Sequence, residues 1–158
     1  MQNEKDIYFT NEALARFVAA QGRSIEKIVC HLWQNSSNKA DVVEIIDNVE
    51  LYFTDKQKLT IACNADGDGL DAIDFDAKQT AQALQKEFEG KIKLFAVDAS
   101  TTKMWQDVIG KTLNAVRISK DGEYYKADAV ILDFGNKEMR EISIAPLDGL
   151  IIDYYEEI

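Results

Sequence analysis

Residues 64–76 read NADGDGLDAIDFD, which places five aspartates and two glycines within thirteen residues. Clustered carboxylates spaced by glycine are the material of a calcium loop. An EF-hand needs oxygen ligands at its first, third and fifth positions, a glycine at the sixth and a bidentate glutamate at the twelfth. Counted from Asn64, the ligands Asn64, Asp66 and Asp68 and then Gly69 fall in register, but the twelfth position is Phe75. A strand-like run, KLTIAC, also precedes the loop where an EF-hand requires a helix. An Asp-Gly pair between two apolar runs is itself a strong hairpin signal, because glycine supplies a positive φ. The stretch is therefore expected to be a turn, with a cation-binding regulatory loop at Asn64–Asp76 as the alternative.

The remaining reactive residue types are sparse. His31 is the only histidine and follows Cys30. Neighbouring residues of a strand point to opposite faces, so the two do not form a thiol–imidazole pair. One histidine and two distant cysteines, Cys30 and Cys63, cannot supply a tetrahedral zinc site. Both cysteines fall on apolar strand faces and read as small buried hydrophobes. No Gly-x-Ser-x-Gly, phosphate-cradling GxxxxGK[ST] or dinucleotide GxGxxG occurs, so no catalytic set, metal or cofactor is expected. An enzyme built on paired carboxylates remains a third possibility, with no pair to name.

Charge bears on partners. Twenty-eight acidic residues against 18 basic give a net charge of −10, which repels nucleic-acid phosphates and favours encounter with basic proteins. The first residues lack the basic and apolar regions of a signal peptide, and no apolar run is long enough to span a bilayer. A cytoplasmic protein, with no nucleic acid and no membrane among its partners, is the expectation. The end of the chain, LIIDYYEEI, joins Tyr154 and Tyr155 to Asp153, Glu156 and Glu157. Tyrosines bring large contact area at low entropic cost, and carboxylates beside them suit a basic surface. With Asp66, Asp68 and Asp71 of the acidic stretch, these residues are the candidate partner-binding set.

The elements that would carry these residues repeat. FVAAQGRSIEKIV (17–29) aligns with WQDVIGKTLNAVR (105–117) at an offset of 88, and KAD recurs at 39–41 and 126–128. LYFTDKQKLTIAC (51–63) matches LDFGNKEMREISI (132–144) at an offset of 81, and Asp68-Gly69-Leu70 matches Asp148-Gly149-Leu150. Each unit opens with a short extended segment, Ile7–Phe9 or Leu94–Val97. A helix should follow. In the first unit Thr10 or Asn11 caps it, Leu14, Phe17 and Val18 form the buried stripe, and Gly22 sits at its C′ position. In the second, Thr101 or Thr102 caps, Met104, Trp105, Val108 and Ile109 form the stripe, and Gly110 ends it.

Period-2 alternation then predicts strands: Ile28, Cys30 and Leu32 opposite Val29, His31 and Trp33, then hairpins turning at TDKQK and GNKE. A last strand follows each Asp-Gly, in LDAIDF and LIIDYY, and the lone proline, Pro146, sits where a strand should end. A connecting helix is expected over 77–89, with Asp76 as N-cap, Ala81, Leu84 and Phe88 buried, and Gly90 at its end. The fold class is α+β: two homologous strand-helix-strand-rich repeats, about 7–75 and 94–155, forming antiparallel sheets covered by about three helices in a single globular domain over 1–158.

Trp105, Ile109-Gly110-Lys111, Leu113 and Val116, leading through Leu132, Phe134, Ile142 and Ile144 to Asp148-Gly149-Leu150, form a pattern with a counterpart over 17–75. In this the chain resembles the small acidic immunity proteins that bacteria encode beside polymorphic toxins, including those of contact-dependent inhibition systems. The resemblance spans about 105–155. It implies a cognate toxin, often a nuclease with a basic cleft, blocked by occlusion without chemistry. Asp66, Asp68 and Asp71 would then stand in for substrate phosphates. The resemblance carries no invariant residue.

Overall fold

The computed structural model describes residues 7–35, 40, 43–145 and 149–156. The fold is α+β and mainly sheet, with two helices among the described residues. Helix α1 (Asn11–Ala20) begins at Thr10, whose side chain accepts the amide of Ala13, and ends before Gly22 at φ +87°. Its buried residues are Ala13, Phe17 and Ala20. The expected stripe is thus rotated: Phe17 is in the core, Leu14 only partly, and Val18 is 66% exposed. Small alanines lie against the sheet because α1 packs close to β3 and β4.

Strands β1 (Ile25–Asn35), β2 (Val43–Phe53), β3 (Lys58–Cys63) and β4 (Leu70–Ile73) form an antiparallel run in which each pairs with the next. The β2–β3 hairpin closes where predicted: Phe53 donates to the Gln57 carbonyl and Lys56 takes φ 72°. Helix α2 (Ala77–Glu87) follows, capped by the Asp76 side chain on the amide of Gln79. None of its residues is fully buried, and Phe88, expected in its stripe, is 39% exposed. Only Ala81 and Leu84 of that stripe are half-buried. α2 packs mainly against β5 (Ile92–Asp98), which pairs antiparallel with the outer edge of β1.

The helix expected after Thr102 does not form. Residues 101–110 are successive turns, closed by Trp105 to Thr102, Val108 to Trp105 and Lys111 to Val108. Its anchors are nonetheless buried, Trp105 at 2% and Val108 at 0%, while Met104 and Ile109 pack partly against the core. Burial fixed these side chains; no continuous backbone ladder was needed to hold them.

The second run comprises β6 (Ala115–Arg117), β7 (Lys120–Asp121), β8 (Tyr124–Tyr125), β9 (Ala129–Asp133), β10 (Met139–Ala145) and β11 (Gly149–Tyr154). β6, β9, β10 and β11 pair in that order, and β7–β8 is a small separate hairpin. Pro146 and Asp148, assigned to the turn before the last strand, lie outside the described residues, as do Lys39, Asp41 and Glu157.

Few backbone bonds join the two runs. Gly149 bridges Ile46 as the only parallel step of the sheet among the described residues, and Leu70 donates to Ala127 at 2.7 Å. Ser24 bridges Thr112, with Gly22 donating to Leu113 and Gly110 to Ile25. The core lies between the runs, on the face of Ile28, Val49, Leu51, Ile61, Val130, Leu132 and Ile142.

Candidate functional site

Alternation along β2 sends Val49, Leu51 and Phe53 into the core and turns Asn48, Glu50 and Tyr52 to the opposite face. The pairing register brings this second face together. Glu50 lies opposite Val29 and Thr60, Asn48 opposite His31, and Tyr52 opposite Lys58. His31, Asn48, Glu50 and Thr60 are all buried there.

Glu50 is the hub. His31 Nε2 lies 2.5 Å from its Oε1, Tyr52 Oη donates to the same oxygen at 3.1 Å, and Lys58 Nζ donates to Oε2 at 2.7 Å. Thr60 Oγ1 adds a longer contact of 3.4 Å. Lys58 also donates to the Phe75 carbonyl, and the Phe75 ring stacks against His31 at 4.8 Å between centroids. Burial pushes the Glu50 carboxyl up, but its hydrogen bonds from Lys58 and His31 outweigh burial and hold it below the ordinary value. Lys58 answers in kind: burial would lower its ammonium, while Glu50 raises it above the usual value. An ionised carboxylate only accepts, so His31 donates to it through Nε2. The buried Oδ1 of Asn48, one strand over, has no hydrogen-bond partner among the described residues.

Beside the cluster opens a cleft of about 480 Å³, lined by Lys27, His31, Tyr52, Phe75 and the start of α2. Lys27 lies over the Tyr52 ring at 4.7 Å. The arrangement can orient an imidazole and hold a buried charge in place. It contains no activated nucleophile. Sequence reasoning left His31 as a packed or surface residue; it is packed, 3% exposed, and Glu50, Tyr52, Lys58 and Thr60 around it were missed. The signal was there: a strand alternating Val-Glu-Leu-Tyr-Phe, paired by the hairpin to Lys58 and Thr60, puts all four on the histidine's face.

The candidate partner-binding residues fall in two places. Asp66 and Asp68 are exposed on the loop between β3 and β4, and Asp71 is half-buried on β4, its Oδ1 accepting the amide of Ala72. The loop is a closed turn: Asn64 donates to Asp68 through its side chain at 2.8 Å and accepts the Asp68 amide in return. The positive φ of 72° falls at Gly67, so the turn pair is Asp66-Gly67 rather than the expected Asp68-Gly69. Gly69 is instead a point of close approach, where a Cβ would lie 2.8 Å from Ile7 Cγ2. Phe75 points to His31, away from this loop. No group of three or more His, Cys, Asp or Glu is arranged to hold a metal ion among the described residues.

Asp153, Tyr154 and Glu156 are exposed at the end of β11, and Tyr155 is half-buried. Tyr154 Oη donates to the Lys103 carbonyl, and its ring carries the Arg140 guanidinium at 4.4 Å. In the strand order β4-β3-β2-β11, two strands separate the groups, so they are distinct patches. None of Asp66, Asp68, Asp71, Asp153 or Glu156 forms an ion pair with a described residue. Several basic side chains pair with other acids, as in Arg16–Asp74, Arg23–Asp55, Arg117–Asp133 and Arg140–Glu138.

Cys30 is buried, and Cys63, expected to be so, is half-exposed. Burial pushes the Cys30 thiol up to about 11. At pH 8 about one part in a thousand is thiolate, so native Cys30 should resist iodoacetamide. Burial, with Asp47 adding to it, also raises Cys63. Mass spectrometry after a timed pulse should find Cys63 alkylated first and Cys30 only after denaturation.

No protein-family model matches the chain, and no curated protein or solved structure matches it either. No described helix is long and apolar enough to cross a membrane.

Proposed function

We propose that this protein is a stoichiometric protein-binding module that neutralises a basic partner, in the manner of an immunity protein covering the cleft of a nuclease-type toxin. One observation carries the reading: the exposed carboxylates of Asp66, Asp68, Asp153 and Glu156 form no ion pair among the described residues, although the chain has 18 basic residues. Unpaired surface carboxylates raise the local negative potential and speed encounter with a positive surface. Tyr154, 46% exposed beside Asp153, supplies contact area on the second patch.

The same reading includes a duplicated unit. Its support is the pairing register. Shifting β1 by 88 residues and β2 and β3 by 81 turns the pairs Lys27–Tyr52, Ile28–Leu51 and Val29–Glu50 into Ala115–Asp133, Val116–Leu132 and Arg117–Ile131. Leu51–Leu59 and Val49–Ile61 become Leu132–Arg140 and Val130–Ile142 by the same shift.

The test is the rate of association with the captured partner as salt is raised. The rate should fall steeply, and Asp66→Lys, Asp68→Lys or Glu156→Lys should slow it with little change in dissociation. A salt-independent rate counts against the proposal. The cleft beside His31 favours a second reading, a small-molecule site or enzyme. A ligand whose binding is lost on Tyr52→Phe without loss of stability would move the balance that way. The cation-loop reading is separated by calorimetric calcium titration, where micromolar heat would favour Asn64–Asp76.

A further inference from the structure

The two sheet faces that lie opposite the core differ in their cover. In the first run the cross-strand row Val29, Glu50, Thr60, Ile73 is sheltered, with Glu50 and Thr60 each 2% exposed. The start of α2 borders the cleft at this face, and α2 continues along β5. In the second run the matching row is Arg117, Ile131, Glu141 and Asp153. Neither helix makes a substantial packing contact with β9, β10 or β11. Ile151, two residues along from Asp153 on the same face, is 49% exposed, and Ile131 on that face is half-buried.

Charge narrows what could cover it. Among the described residues of β6, β9, β10 and β11, Asp133, Glu141 and Asp153 share this face with one cation, Arg117, which is bound to Asp133 at 2.7 Å. The roof that the chain supplies to its own first run is itself a helix with two lysines, Lys78 and Lys86, against one acid, Glu87. Ile131 and Ile151 lie diagonally across this face with Glu141 and Ser143 on the strand between them, and such a mixture of apolar and acidic side chains accepts an amphipathic helix that lays its apolar side on the isoleucines and its lysines or arginines on the carboxylates.

We propose that the open face of β6, β9, β10 and β11 docks a basic amphipathic helix of the partner protein, in the position α2 holds on the other run. The inference rests on the basic-partner reading above and assigns its surface. Ile131 and Ile151 form the apolar seat; Glu141 and Asp153 select for positive charge.

The experiment is an NMR titration of the isotope-labelled full chain with an amphipathic Lys/Leu peptide of about four helical turns. A Glu/Leu peptide of the same pattern is the control. The expected result is shift changes concentrated at Ile131, Glu141, Ile151 and Asp153, and binding weakened about tenfold or more by Glu141→Lys with Asp153→Lys. Unchanged thermal midpoints should accompany these surface changes. Shifts centred on the β3–β4 loop, or binding indifferent to the two reversals, would overturn this surface while leaving the basic partner standing. No binding of the Lys/Leu peptide anywhere, or equal binding of the Glu/Leu control, would overturn both.

Discussion

Glu50→Ala is expected to cost about 3 kcal/mol of folding stability. The carboxylate accepts from His31, Tyr52, Lys58 and Thr60, and removing it strands all four donors at once. The value sits at the low end for breaking a buried pair because the Lys58 side chain is 37% exposed and can turn its ammonium to water. Glu50→Gln keeps the shape and part of the bonding, so about half that cost is expected. Urea midpoints, with unchanged m-values, measure both.

The pH dependence has a definite sign. Because the folded carboxyl is held below its ordinary value, the Glu50 contribution is present above the unfolded pKa of about 4.3 and is lost as pH falls through the folded one. The raised Lys58 acts in reverse, contributing below its unfolded pKa and losing that contribution as pH rises past the folded value. Glu50→Gln should therefore flatten the acid limb of the stability curve relative to wild type. An acid limb as steep in the variant as in wild type would mean that other carboxylates set it.

The second large effect is at Gly149. Its φ of +81° suits glycine, and a Cβ there would lie 2.4 Å from the Ile46 carbonyl oxygen and 3.2 Å from Ile45 Cβ. The clash is with backbone, at the parallel bridge between the two runs, so no side chain can turn away to relieve it. Gly149→Ala is expected to cost about 3 kcal/mol or more. Gly22→Ala provides the comparison. Its φ is +87° with nothing within 4 Å of the added Cβ, so it should cost only the left-handed backbone term of about 1–2 kcal/mol. Equal losses at the two glycines would show that the close approach to Ile46 contributes nothing.

Much of the architecture was legible in local chemistry. Thr10 and Asp76 cap the two helices as their side-chain oxygens predict, and both four-residue and five-residue polar turns join alternating strands. What failed was tertiary. Met104, Trp105, Val108 and Ile109 have helical spacing, yet the segment is tied to β1 at both ends, by Ala99 to Ile28 and Gly110 to Ile25, and closes as separate turns. Val18 and Phe88 satisfy an apolar period but face solvent, because periodicity gives a stripe's width and not the neighbour that meets it. The candidate acids Asp66 and Asp153 were visible as composition; the strands between them were not. The Glu50 cluster was legible only in part: the β2–β3 hairpin brings Glu50 to Lys58 and Thr60, while the register that sets His31 of β1 beside them is tertiary.

The most direct test of the central claim is affinity capture from the native host with the full chain as bait, run at low and at high salt. The account predicts one strongly basic protein, held in equal molar amount at low salt, released as salt rises, and lost when Asp66 and Asp153 are changed to lysine. Capture of a partner that is acidic, or that stays bound through high salt and through both reversals, would contradict it.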